Sequence, residues 1–600
     1  MANFYRDNDD IQFLFRHMDL ARSASTCEEN FRFAEKFDYA PADAEEAIRN
    51  YDMVLHSLGQ LSAEFIAPRA EDVDRQGNSL NENGSVTYAK GTSENLEKLA
   101  QAQVMGFTLP HCFGGLNFPN LIYSMAIEIV SRADAALMNI FGLQGIAETI
   151  DAFASEEIRQ KYLPDFSAGR ITGAMVLTEP DAGSDLQSVK LRAFQDAEGN
   201  WFLHGVKRFI TNGCGEVLLV LARSEPDRSG GLGLSLFVCQ RGHTVHIRRL
   251  EEKLGIHGSP TCEIFFDNTP CELIGERQRG LVTYVMSLMN GARIGIAAQS
   301  IGIAEAAFRV ARDYASHRKQ FGSAIEKIPA VRDMLIDMKM VIEAGRALLY
   351  ETSRIVDVEV GCLKQLESNP PQDKEQAKKL KNDSRKYKRY AAMLTPMCKY
   401  YCSEMCNRVA YDSIQVLGGS GYMQDYPVER HARDARITTI YEGTSQLQIV
   451  AAVRAICSGT AEKFMANLAE KDYEGELKHL LDKLAEGREH LQNSVAFVKE
   501  HGNEYMDLYG RALVDMAIDL INGYLFCDQA CTTVDMQVAM AENGAGNGRA
   551  ISMKERKAML ARRYVTRNAP RIACLAEVIC TGDKSTFTEY DAVVGALPQE

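Results

Sequence analysis

Six hundred residues exceed what one hydrophobic core usually organises, so several domains are expected. With 46% hydrophobic and 25% charged residues, the composition is that of a globular protein. A net charge of −14 excludes a broadly basic nucleic-acid-binding surface, although a local cluster of Arg and backbone N–H groups can still hold a small anion.

Residues 1–40 read as an N-terminal helical arm, with Ile11, Phe13, Leu14, Phe15 and Met18 forming an apolar stripe. Residues 41–165 read as an N-terminal α domain. Its helical periodicity over Ala44–Ala67 stops near Pro68, Gly77–Gly91 is a polar loop, and Leu96–Met105 resumes the helix. Asn120–Arg132, Met138–Phe153 and Glu156–Ala168 complete the block. From Ile171 the period changes to that of strands. Ile171–Leu177, Ser188–Phe194, Trp201–Ile210, Glu216–Ala222, Leu234–Cys239, Thr244–Arg249 and Cys262–Asp267 are predicted strands of a middle β domain over 166–279.

Helix returns at Gly280 and gives a C-terminal α-bundle domain over 280–458, broken by Pro329 and by the turns of Gly418–Pro427. Within it the mixed-charge stretch 363–389, with Pro370 and Pro371, is expected to be a solvated insertion between two long helices. Residues 459–600 form an additional α domain, helical to about Thr586, with amphipathic segments Lys471–Lys499 and Glu504–Gln529. The order α, β, α, then further α places the chain in the α+β class.

The N-terminus lacks the apolar core of a signal peptide, and no run reaches the roughly 20 apolar residues of a membrane span. Val285–Ala307 comes nearest but carries Asn290, Arg293, Gln299 and Glu305. Fifteen scattered cysteines point to reduced thiols in a cytoplasm. Cys398, Cys402 and Cys406 share one helix face; apolar packing explains them, and no metal is expected.

The chemistry is concentrated at Ile440–Val450, where Glu442 stands between two helical segments, hemmed by Ile440, Tyr441 and Leu447. A carboxylate desolvated there has its pKa raised towards that of a working general base. The same acid also suits a simple helix start capped by Thr444 or Ser445, and these residues alone leave both readings open.

Met175–Asp185 (Met-Val-Leu-Thr-Glu-Pro-Asp-Ala-Gly-Ser-Asp), Lys207–Gly213 and Ile440–Val450, in that order and spacing, resemble the acyl-CoA dehydrogenase family. Ser316–Gly322, Gln415–Gly421 and Tyr426–Arg430 support the resemblance, which covers about 41–458. The N-terminal arm, the charged insertion, the helical tail and Lys253–Cys262 look most like a large bacterial branch resembling 3-methylmercaptopropionyl-CoA dehydrogenase. The resemblance implies an N-terminal helical domain, a β-barrel middle and a C-terminal helical bundle. It also implies desaturation of an acyl-CoA thioester to a 2-enoyl-CoA, with Glu442 taking the Cα proton and FAD accepting the Cβ hydride. No Gly-x-Gly-x-x-Gly follows a strand, and Gly230–Leu234 reads only as a loop, so a Rossmann dinucleotide site is unsupported.

By resemblance, Met175, Leu177, Thr178, Gly183 and Ser184 would lie along the flavin, with Ser184 also near the acyl-CoA. Phe209, where many relatives carry Trp, would shield one flavin face, with Ile210 beside it and Thr211 near N5. Arg318, Gln320 and Phe321 would reach the FAD pyrophosphate and adenosine across a dimer interface, with Gln415, Gly418 and Gly419 supplying the other side. Thr444 and Gln446 would also contact the cofactor. Gly443, Asn290 and Arg293 would contact substrate, the last two near the CoA pantetheine and phosphates. Phe141 aligns with the floor of the acyl pocket, and ordinary core packing explains it equally well. The implied partners are acyl-CoA, an electron-transfer flavoprotein or similar acceptor, and a second copy of the chain. An acyl-CoA oxidase or a catalytically silent flavin-bearing scaffold remain as alternatives, although Thr178–Asp185 has the dehydrogenase form.

Overall fold

The computed structural model describes residues 1–142, 144–368, 370–539 and 550–597. Leu143 of the expected Met138–Phe153 helix, Asn369 of the charged stretch, and 540–549 of the expected helical tail lie outside the described residues. The chain divides into two compact units: residues 1–388 with 398–445, and residues 389–397 with 446–600.

In the first unit, α1 (Asp9–His17) and α2 (Leu20–Cys27) precede α3 (Ala44–Leu61), α4 (Ala70–Gln76) and α5 (Lys90–Gln101). They are followed by α6 (Asn120–Ala133), α7 (Ala135–Phe141), α8 (Gln144–Phe153) and α9 (Glu156–Ser167). Short polar side chains start several of these helices by accepting orphan backbone N–H groups. Asn8 caps α1, Asp43 caps α3, Asp134 caps α7 and Ser155 caps α9. Two-residue strands β1 (Ser79–Leu80) and β2 (Val86–Thr87) form a small hairpin inside the expected Gly77–Gly91 loop.

The middle of the unit is a strand assembly: β3 (Gly173–Val176), β4 (Arg192–Gln195), β5 (Trp201–Thr211), β6 (Val217–Arg223), β7 (Leu234–Gln240), β8 (Val245–Leu250) and β9 (Thr261–Ile274). Antiparallel pairing runs β6–β7–β9–β5–β4, and β4 returns to β6 through Arg192 and Arg223, closing a barrel. β3 joins parallel to β6, and β8 pairs with β9. The uninterrupted apolar run of β6 follows from burial on both faces. Leu218, Val220 and Ala222 fill the barrel interior, while Val217, Leu219 and Leu221 pack outward against α8 and α9.

The bundle elements follow. They are a π-helical turn over Gly280–Val285, α10 (Met286–His317), α11 (Pro329–Ser368), α12 (Lys374–Leu417) and α13 (Val428–Ile437). α10 leads to a two-strand hairpin, β10 (Lys319–Gln320) and β11 (Ser323–Ala324), with Phe321 and Gly322 at its tip. Among the described residues, only Gly280–His317 is long and apolar enough to cross a membrane, and 89% of its apolar window is buried inside the protein. Small residues account for that burial. A Cβ on Gly302 would sit 2.6 Å from the Glu128 carbonyl oxygen, so the backbone of α10 runs close against the backbone of α6.

The stretch 363–389 departs from the expected solvated insertion. α11 continues to Ser368 and α12 starts at Lys374, leaving only a short connector. The mixed charges lie along helices exposed on one side, where pairs three and four residues apart are tolerated. Pro370 and Pro371 stop the first helix, and Asp373 caps the second by accepting from the Glu375 and Gln376 N–H groups.

Residues 1–40 are tied into the bundle rather than hung from it. Fully buried Arg346 of α11 donates to Asp10 of α1 at 2.6 Å, to Glu128 of α6 at 2.7 Å and to Glu305 of α10 at 3.0 Å. The Tyr350 hydroxyl also donates to Glu128, at 2.7 Å. One guanidinium therefore joins four helices. Arg346→Leu should lower folding stability by about 3–5 kcal/mol, because it strands buried carboxylates without their partner. The check is denaturant unfolding of the purified variant.

The second unit contains most of α14 (Ser445–Cys457), α15 (Thr460–Ala469), α16 (Glu476–His501), α17 (Asn503–Leu508), α18 (Gly510–Ala530) and α19 (Met553–Ile579). α16, α18 and α19 pack on one another through Leu484, Gly487, Leu520, Gly523 and Ile572. Within this helical region β12 (Gln537–Ala539) pairs antiparallel with β13 (Ala550–Ser552). After it Ser552 and Glu555 form a reciprocal cap on α19.

Candidate functional site

The loop 438–444, between α13 and α14, holds Glu442 through a frame of buried hydrogen bonds. Asn407 Nδ2 of α12 donates to the Ala435 carbonyl at 2.9 Å, and the Ser445 N–H donates to the Thr439 carbonyl at 3.0 Å. Tyr441 is anchored by its hydroxyl to Gln299 of α10, and Gln299 Nε2 donates to Asn139 Oδ1 of α7 at 2.9 Å. Lys399 of α12, fully buried, donates to the Gly443 carbonyl at 2.7 Å.

Between these anchors the backbone is turned left-handed twice, with φ of +54° at Glu442 and +88° at Gly443. Gly443 adopts that conformation freely, whereas at Glu442 it costs about 1 kcal/mol. Such local strain is tolerated where the surroundings over-determine it, and here it aims a carboxyl into a cavity.

That cavity, of ≈ 70 Å³, is bounded by Glu442 and Tyr441 and by Met175 and Thr211 of the barrel. Helical walls from α6, α7, α8 and α10 complete it. Gly291 and Gly295 of α10 keep it open; a Cβ on Gly295 would meet Met138 Cε at 3.6 Å and Ile127 Cδ1 at 3.8 Å.

Burial pushes the Glu442 carboxyl up to about 7, against the pull of Lys399 and Arg293, which favour its ionised form. Burial likewise pushes Lys399 down to about 7, opposed chiefly by Glu442. Arg293 is lowered by desolvation and held up by Glu442. An acid, a lysine and an arginine thus share one low-dielectric site, and the acid is poised for proton transfer near neutrality.

Met175, Thr211 and Glu442 are brought to the same cavity from three distant segments. The Thr178 carbonyl accepts from the Arg208 N–H at 3.0 Å, setting the Met175–Asp185 segment beside β5. Gly183 and Ser184 are exposed on the turn, and a Cβ at Gly183 would meet nothing within 4 Å. Leu177 and Ile210 place their side chains in the two hydrophobic cores, leaving only backbone on the open face. Phe209 holds φ of +61° with its ring half exposed and Arg208 stacked on it.

Arg293 Nη1 donates to exposed Asn290 Oδ1 at 3.1 Å. Arg318, Gln320 and Phe321 lie on the exposed β10–β11 hairpin, where Phe321 is 96% exposed at φ +51°. Gln415, Gly418 and Gly419 are exposed at the end of α12. The Tyr314 hydroxyl, donating to Ser420 Oγ at 3.3 Å, links that end of α10 to Gly418–Gly421. Neither of these two groups lines the Glu442 cavity. Thr444 is half-buried next to Gly443, and Gln446 is exposed at the start of the second unit. Phe141 is fully buried beside Tyr123 and does not line the cavity; the core takes its ring. Cys398, Cys402 and Cys406 are all fully buried on α12, and burial pushes Cys402 and Cys406 up, which keeps them as thiols.

Two lysines that the motif reading passes over do much of the positioning. Lys399 is one. Lys207 is the other: fully buried, it donates to the Leu177 carbonyl at 2.6 Å and pairs with Glu179 at 3.0 Å, and burial lowers it to about 8. Glu179 also accepts from the Lys190 and Leu191 N–H groups at 2.8 and 2.9 Å. Strand parity could have found Lys207, which shares its inward phase with Leu203. A lone lysine among Met397, Cys398, Tyr400 and Cys402 was the corresponding sign for Lys399.

The residues that the resemblance assigns to FAD fit the chemistry of a flat group with polar edges, and Met175 and Thr211 among them share the cavity with Glu442. The Phe209 ring supplies an apolar wall, Thr178, Ser184 and Thr211 supply hydroxyl donors, and Gly183 permits close approach. The strained backbone that turns Phe209 outward is an independent observation of a clamp-like position.

Comparison with known proteins follows the same segments. Family models for the acyl-CoA dehydrogenase N-terminal, middle and C-terminal domains match residues 49–170, 174–269, and 279–368 with 374–457. One described as "Acyl-CoA dehydrogenase C terminal" matches 457–542. The chain is similar to an acyl-CoA dehydrogenase of Bacillus subtilis, 35% identical over 374 residues, covering 61% of this chain and 90% of that one. It is similar to the 3-methylmercaptopropionyl-CoA dehydrogenase of Ruegeria pomeroyi, 32% identical over 441 residues, covering 67% and 71%. The solved butyryl-CoA dehydrogenase of Megasphaera elsdenii shares 30% identity with a TM-score of 0.57, covering 68% of this chain and 97% of that one.

Proposed function

Because the chain belongs to the acyl-CoA dehydrogenase family, FAD-dependent oxidoreductases acting on CH–CH bonds, we propose that Glu442 is the base that takes the Cα proton of an acyl-CoA thioester. The observation that carries this reading is a carboxyl raised to about 7, facing a cavity beside Met175 and Thr211.

The carboxylate of Glu442 receives the proton as the Cα–H bond breaks, and charge develops on the thioester oxygen. The Glu442 backbone N–H, turned by its left-handed φ, is the proposed donor to that oxygen. FAD, when bound, supplies the acceptor for the hydride leaving Cβ, so that loss of H⁺ and H⁻ together yields the 2-enoyl thioester. Thr178, Ser184 and Thr211 are the proposed donors to the flavin, and Phe209 is its apolar wall. Arg293 and Lys399 keep the base ionisable, and Lys207 with Glu179 holds the Leu177–Thr178 backbone in place. Gly443, Asn290 and Arg293 are the proposed contacts to acyl-CoA.

Arg318, Gln320, Phe321, Gln415, Gly418, Gly419, Thr444 and Gln446 are proposed to complete the cofactor site. Arg318, Gln320 and Phe321 would reach it across a homodimer interface, with Gln415, Gly418 and Gly419 supplying the other side, a reading supported by the nearly complete exposure of Phe321. The proposed electron acceptor is an electron-transfer flavoprotein or similar protein, and the proposed location is cytoplasmic, with every cysteine a free thiol. The proposed domain division is 41–165, 166–279, 280–458 and 459–600, after an N-terminal arm.

Anaerobic mixing of the yellow protein with a panel of acyl-CoAs tests the reading. Bleaching of the flavin absorbance by at least one thioester, with the matching 2-enoyl-CoA recovered, is expected. A protein that binds no FAD, or whose flavin no acyl-CoA reduces, would overturn it.

A further inference from the structure

A second cavity, of ≈ 210 Å³, adjoins the one that Glu442 faces. Asn120, Gly145, Glu148, Leu288 and Gly291 line both, so Glu148 of α8 stands on their common wall. The absence of side chains at Gly145 and Gly291 makes room for it: a Cβ on either would lie 3.9 Å from Glu148 Oε2.

The second cavity sets polar groups among apolar lining from Leu109, Phe118, Phe153 and Leu288. Its polar lining comes from Thr108, Thr149, Asp151, Asp357 and Lys364, with Glu148 on the wall it shares. Two of its acids are already engaged within the fold. Asp151 is held by Arg159 at 2.6 Å, and Asp357 accepts from the Asn120 and Leu121 N–H groups at 2.6 and 3.0 Å, where it starts α6. Glu148 is different. The buried Thr108 hydroxyl makes no direct hydrogen bond, yet stands close enough to Glu148 to favour its ionised form, while burial raises its pKa. A buried hydroxyl without a hydrogen bond thus stands beside a desolvated carboxyl that Lys364 also favours in its ionised form.

The geometry points to Glu148 as a specificity-determining residue that selects acyl-CoA thioesters carrying a hydroxyl group beyond the reacting carbons, on the side of the second cavity. The inference rests on the dehydrogenase reading above. Such a hydroxyl donates to the Glu148 carboxyl and accepts from Thr108, satisfying both at once. A terminal methyl would leave the Thr108 hydroxyl unpaired and the Glu148 carboxyl desolvated, which disfavours it. A terminal carboxylate would add a further acid beside Glu148, Asp151 and Asp357, with Lys364 as the cation of that lining.

The test compares flavin reduction by acyl-CoAs of equal chain length ending in methyl, hydroxyl or carboxylate, using the FAD-loaded wild type, Glu148→Leu and Glu148→Gln. The wild type is expected to favour the hydroxyl over the methyl substrate by about tenfold or more in kcat/KM, chiefly through KM. Glu148→Leu should abolish or invert that preference, and Glu148→Gln should keep part of it; flavin content reports that each variant is folded. A wild type that prefers the methyl substrate, or a preference unchanged in Glu148→Leu, overturns the inference and leaves the dehydrogenase reading intact. Absence of flavin reduction with all three substrates would instead count against that reading itself.

Discussion

Glu442→Gln is expected to retain FAD and to lose about 10³-fold or more in the rate of flavin reduction by acyl-CoA. The amide has nearly the shape of the carboxyl and leaves the frame of Tyr441, Gln299, Asn139 and Lys399 in place, so folding should survive. It cannot take a proton. Stopped-flow absorbance under anaerobic conditions checks this, and near-normal turnover would move the base elsewhere. The wild type carries a related signature. With the carboxyl raised to about 7 by burial, the active, ionised form gains population as pH rises through neutrality. The acidic limb of the rate profile should therefore lie near 7 rather than near 4, where an ordinary carboxyl titrates.

Lys399→Met should shift that limb to higher pH. The ammonium is the leading opposing influence on Glu442, favouring its charged form against desolvation. Without it the carboxyl holds its proton more tightly, the limb moves up by about one pH unit or more, and the rate at pH 7 falls by about tenfold. Raising the pH should recover part of the loss, because the base itself remains. The 2.7 Å hydrogen bond to the Gly443 carbonyl also disappears, so some loss should persist at every pH. A pH–rate profile of the variant separates the two effects. An unchanged limb would show that Lys399 positions the loop and nothing more.

The sequence made the site legible where the chemistry is local. Glu442 and the Met175–Asp185 and Lys207–Gly213 segments stand in short motifs whose residue types suggest their use. Lys399, Tyr441 with Gln299, and Glu148 could not be read the same way. Their meaning lies in pairing across 43, 142 and 40 residues of chain, and no spacing announces such a partner. The stretch 363–389 was misread for another reason: a solvated loop and a helix exposed on one side have the same composition, and only packing on α12 separates them. Phe141 shows the limit for apolar side chains. An aromatic ring on a buried helix fits a pocket floor and a core equally well until the neighbouring helix is placed, and Tyr123 then claims it for the core.

The backbone-close crossing at Gly302 and the four-helix junction at Arg346 fix the spacing of α6 and α10 at one end. Those same two helices both line the chamber before Glu442. Its width is therefore not adjustable by sliding them apart. New acyl repertoires, whether evolved or designed, should arise from exchanging residues along the chamber's sides, while the girders behind them stay untouched.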